Sequence, residues 1–136
     1  MKTIPLSIRS TPLLLAFGLL LFLSSCIGPD PAGLQNVTNL STRLTTLMNK
    51  AVTSTYANSK TEIEGVTAEL GKAEQHSMEQ KRNKEIANQW KILRTEQVEP
   101  FLMRWKQEKL DKDFVKEAVA QVQKSLDAIK KAEQAK

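Results

Sequence analysis

From Leu34 to Glu99 the chain contains no proline, and its apolar residues recur at steps of three and four. Val37, Leu40, Leu44, Leu47 and Ala51 mark one seam, and Ile63, Val66, Leu70 and Ala73 a second. Beyond Pro100, Val115, Val119, Val122, Leu126 and Ile129 mark a third. Such steps line up on one face of a 3.6-residue helix, whereas a half-buried strand needs strict alternation. The pattern predicts an all-α fold: an elongated antiparallel three- or four-helix bundle, or a helical hairpin, with coiled-coil-like seams. No seam holds beyond three heptads without a break, which argues against one long rod.

Element boundaries follow from local chemistry. Ser59-Lys60-Thr61-Glu62 has the spacing of a capping box and predicts a break near residues 58–59. Residues 74–85 hold one apolar side chain, Met78, and place Lys81 and Glu85 at i, i+4, so they read as an exposed helical span, with a turn as the alternative. Pro100 predicts a boundary or kink between 95 and 100. Asp111 or Asp113 suits the cap of a last helix, and Lys130 and Lys131 suit its C-terminal dipole.

The N-terminus carries Lys2 and Arg9 without an acid, then eleven apolar or small residues, Leu13–Leu23. A positive start and a short apolar core form the signal-peptide pattern, and a membrane span would need ~20 apolar residues. The stretch ends in Leu23-Ser24-Ser25-Cys26, which resembles the lipobox of bacterial lipoproteins. That resemblance implies cleavage after Ser25 and acylation of Cys26, the single cysteine of the chain. Two or more acyl chains anchor stably where one binds marginally. Ile27, rather than Asp, resembles the outer-membrane class of Gram-negative lipoproteins. The expected organisation is therefore a cleaved lipoprotein signal peptide (1–25), a lipidated Pro/Gly-rich tether (26–35) and a helical domain (36–134). Ile27–Gly33, extended, would reach roughly 25 Å.

The formal net charge of +5 falls to +3 when Lys2 and Arg9 leave with the leader. This mild balance, outside the cytoplasm, gives no reason to expect a nucleic-acid partner. Lys81, Arg82 and Lys84 form one basic cluster, and Arg104, Lys106, Lys109 and Lys112 another. Solvated faces of Lys/Glu-rich helices look like this, and contact with anionic head groups or an acidic protein is the functional alternative.

Raw material for catalysis is sparse. His76 is the sole imidazole and lies in the most polar stretch, which reads as a surface position. With Cys26 lipidated, no zinc ligand set remains, and Met78 beside His76 is too little for a soft metal. The glutamates are spread along helical surface, and Gly65 and Gly71 form no phosphate loop. No catalytic residue, metal or cofactor is expected. Aromatic residues make up only 5% of the chain, yet Trp90, Phe101 and Trp105 fall within sixteen residues, among Arg94, Arg104 and Lys109. Trp flanked by Arg is typical of interface anchors, so these six residues form the expected partner-binding patch. The competing reading is that the three aromatics fill the core of a small bundle.

Together these features predict a lipid-anchored lipoprotein of the cell envelope, on the periplasmic face of the outer membrane in a Gram-negative host. It would be a non-catalytic helical adaptor or assembly factor for an envelope protein, as pilotin-type lipoproteins are. Two alternatives stand beside it. The ending Gln134-Ala135-Lys136 is similar to murein lipoprotein, whose terminal lysine joins peptidoglycan, which implies a structural, self-associating protein. Leu93-Arg94-Thr95-Glu96-Gln97 resembles the Leu-Thr-x-x-Gln motif of Spy-like periplasmic chaperones, with Arg94 in the threonine position.

Overall fold

The computed structural model describes residues 30–80 and 83–136. The leader, the lipobox with Cys26, and the Lys81-Arg82 pair lie outside the described residues. Helix α1 spans Pro31–Lys50, α2 Lys60–Glu79, α3 Lys84–Ile92, α4 Glu99–Gln107 and α5 Lys112–Gln134. A π-helical turn, Leu93–Val98, joins α3 to α4 without a break, so the three pieces act as one arm. The described residues contain no strand.

Four antiparallel arms close into an up-and-down bundle. Lys50 pairs with Glu62 and Asp30 with His76 along α1 and α2. Glu74 holds Arg94 between α2 and the π turn. Gln97 bonds Ser125 across to α5, and Ser41 of α1 donates to Gln123 of α5. The seams meet inside, where Leu44, Leu93, Leu126 and Ile129 have no exposed surface. Burying each such aliphatic side chain contributes about 1.5–3 kcal/mol. Threonine-rich α1 tolerates its hydroxyls because Thr38 and Thr45 bond back to the carbonyls of Leu34 and Ser41.

Four boundaries differ from the sequence reading. First, α1 begins at Pro31, inside the stretch expected to be tether. Asp30 caps it by accepting from the Ala32 amide, and proline at the first helical position loses no needed donor. Second, the break near 58–59 exists, but as a 3₁₀ turn, Ala57–Ser59, without a capping box. Ser59 turns to Ser54, and Glu62 is drawn away by Lys50. Third, α2 stops at Glu79 and Gln80 is extended, so the polar span 74–85 holds the reversal into α3. Fourth, the boundary expected between 95 and 100 is present, as the change from π turn to α4 at Val98–Glu99, but it leaves the arm continuous. Pro100 sits in the first turn of α4, directly after the π turn. The last helix is capped by Asp111, which accepts from the amides of Asp113 and Phe114.

Candidate functional site

The six residues expected to form an exposed patch are divided by the fold. Trp90, Phe101 and Trp105 are 1%, 3% and 3% exposed and belong to the core. A bundle of small and aliphatic residues uses its few large side chains to fill space. Phe101 and Trp105 join Tyr56 and Phe114 in one cluster. Tyr56 and Trp105 meet edge-on at 5.9 Å, and Phe101 stacks on Phe114 at 6.1 Å. The buried indole N–H of Trp105 donates to the Ser54 carbonyl at 3.1 Å, which ties the 51–59 loop to α4. Trp90 lies deeper along the arm and has no part in this cluster.

The cations serve the same scaffold. Arg94 donates to Glu74 at 2.7 Å and to Glu99 at 2.7 Å, clamping the π turn between α2 and α4. Hydrogen bonds from Glu74 first, then Glu99, raise its pKa above the ordinary value despite partial burial. Arg104 lies 4.2 Å over the Phe114 ring, a cation–π contact, and also pairs with Glu108. Lys109 is exposed on the loop after α4, beside the cleft between that loop and residues 53–57. Within the Leu93–Gln97 segment, Leu93 is fully buried and Gln97 is bonded to Ser125, so both positions are used in packing.

Surface apolar features lie elsewhere. Met103 is 62% exposed and Met78 is 61% exposed, at opposite ends of the bundle. Met103 edges an open groove of about 650 Å³ between the first half of α2 and α4. Ile63, Leu102 and Tyr56 supply apolar walls, and Glu64, Glu99 and Lys106 stand at its margins. The groove opens because α2 and the arm that follows it pack closely near the α2–α3 turn and separate toward α4.

The other end of the bundle is polar. The His76 Nε2 lies 2.6 Å from Asp30 Oδ2, joining the end of α2 to the start of α1. Burial pushes the Asp30 carboxyl up, but the His76 hydrogen bond, the Gly33 and Ala32 amides and the His76 charge together outweigh it. Asp30 is held below its usual 3.8. The single imidazole is therefore half-buried and hydrogen-bonded to Asp30 rather than on open surface. Nearby, Glu133 is fully buried against Gly33, and Lys136 pairs with its carboxylate. Acylating that lysine would leave Glu133 facing a neutral amide. Among the described residues no three His, Cys, Asp or Glu side chains are grouped to hold a metal ion. No helix among them is long and apolar enough to cross a membrane. No protein-family model, no curated protein and no solved structure matches the chain.

Proposed function

We propose that this protein is a lipid-anchored, non-catalytic envelope adaptor, which binds an amphipathic helix of a partner protein in the groove between α2 and α4. The observation that carries the reading is Met103, an unbranched apolar side chain held in solvent at the edge of a groove with apolar walls. A groove between two helices takes a third helix by its apolar stripe, and methionine adapts to varied partners. The lipobox resemblance supplies the location, through acylated Cys26 on the periplasmic face of the outer membrane. Tyr56, held edge-on against buried Trp105, gives the groove one fixed wall. Against the structural alternative stands the use of Lys136 as counter-ion to buried Glu133.

The test is a photo-crosslinking side chain placed at position 103 of the full-length protein in intact cells, followed by mass spectrometry. The expected result is one envelope protein, captured at 103 and no longer co-purified with Met103→Glu, whose thermal unfolding is unchanged. Capture of only second copies of this chain or of peptidoglycan fragments would move the assignment to a structural lipoprotein.

A further inference from the structure

Only Ile27, Gly28 and Pro29 separate Cys26 from Asp30, which is both the cap of α1 and the partner of His76. Four Cα-to-Cα steps span at most about 14 Å. Helix α1, with twenty residues, is about 30 Å long. The link is therefore less than half the length of the bundle, and its attachment point is pinned to one end by the Asp30–His76 pair. That end is formed by the start of α1, the end of α2, the start of α3 and the end of α5.

We infer that this end of the bundle sits directly on the membrane surface, with Met78 in the interfacial layer and Lys84 and Lys131 on anionic lipid head groups. The inference rests on the acylation of Cys26 that the proposed function assumes. Among the described residues Met78 is the apolar side chain most exposed at this end, in the last turn of α2. Lys84 opens α3 and Lys131 lies in the last turn of α5, and both are exposed. Lysines near a membrane surface are drawn to anionic lipids over about a Debye length, and the short link keeps these within that range. A bundle held this way stands on end. The α2–α4 groove with Met103 then faces away from the bilayer, toward a partner.

The experiment uses full-length protein reconstituted in phosphatidylglycerol-containing vesicles. A bimane fluorophore is attached at Met78→Cys or Met103→Cys, and the vesicles carry a nitroxide head-group lipid as quencher. Cys26 is the only native cysteine, so acylation leaves one thiol to label. The expected result is strong quenching at position 78 and little at 103, with quenching at 78 reduced several-fold in Lys84→Glu/Lys131→Glu. Equal quenching at both positions would show a bundle lying flat and overturn the inference, as would no quenching at 78. The mass of the N-terminal peptide from the same preparation separates the two readings. An acylated chain with unquenched Met78 refutes only the end-on contact, whereas an unacylated Cys26 refutes the lipoprotein assignment itself.

Discussion

A β-carbon on Gly33 would lie 2.7 Å from the carboxylate of Glu133, so the two positions cannot be changed independently. The glycine is there for close approach, since its backbone is ordinary helix and no glycine among the described residues has positive φ. Gly33→Ala should lower stability in the wild-type chain, because the displaced carboxylate is buried and loses its geometry with Lys136. In a Glu133→Ala background the same change should be neutral or stabilising, since alanine is the better helix former. Urea denaturation of the four variants is expected to give a coupling of about 1–3 kcal/mol, and additivity would refute the contact. Asp30 makes a different residue-scale prediction. Its folded pKa lies below the unfolded 3.8, so the unfolded chain binds more protons in that window. The stabilisation is complete above pH ~3.8 and is lost as pH falls through the folded value. Asp30→Asn keeps a capping side chain but not the charge, so it should be less stable than wild type near neutrality. The gap should close as pH drops below ~3.8, read by thermal melts across the acid range.

At the scale of elements the π turn is the least expected feature, and it has two causes. Apolar burial runs from Leu93 to Val98, a step of five where an α-helix would use three or four. The backbone absorbs the extra residue by an i→i−5 bond from the Glu99 amide to the Arg94 carbonyl. Pro100 follows immediately, where its missing N–H and its ring would cost a regular helix interior about 3 kcal/mol. Deleting exposed Glu96 should return the arm to α geometry with Val98 still inward. With Pro100 retained, that deletion is expected to cost about 3 kcal/mol, and with Pro100→Ala it should be nearly neutral. Deleting Lys124 from α5, where the seam is regular, should instead unfold the bundle by turning Leu126 and Ile129 outward. Circular dichroism melts distinguish the three cases. Much of this was legible in the sequence. The three regular seams supply the cores of α1, α2 and α5, and Asp111 caps the last helix as its chemistry predicts, whereas the break at 58–59 stands in the expected place without the expected capping box. The step of five at Leu93–Val98 is also present in the sequence, two residues before Pro100, whose chemistry alone predicts only a boundary or kink. Proline and glycine around Asp30-Pro31 signal a loop and so predict a tether, although Asp before Pro is equally a helix start. The reversal after Gln80 carries no glycine or proline, so the polar stretch 74–85 offers a turn only as the alternative to an exposed helix.

For the whole molecule, the sequence left open whether its concentrated aromatics face inward or outward, because periodicity fixes a face only relative to a seam. The π turn shifts that reference between Trp90 and Phe101. With the bundle closed, Trp90 and Trp105 are interior and the only strongly exposed large apolar side chains among the described residues are Met78 and Met103. Under the proposed function, stability and recognition are carried by different residues, a separation that the expected Trp-centred patch would not allow. Trp90→Ala removes the largest fully buried side chain and should cost about 3–5 kcal/mol. Trp105→Ala should cost a similar amount, since it also strands the Ser54 carbonyl and unpacks Tyr56 and Phe101. A domain of this size has about 5–15 kcal/mol in all, so the double substitution is expected to abolish cooperative unfolding. Met103→Glu should shift the urea midpoint by no more than an ordinary surface change, within about 0.5 kcal/mol, yet remove the crosslinked partner. If Met103→Glu proved as destabilising as the tryptophan changes, the groove would be part of the core and the adaptor reading would lose its binding surface.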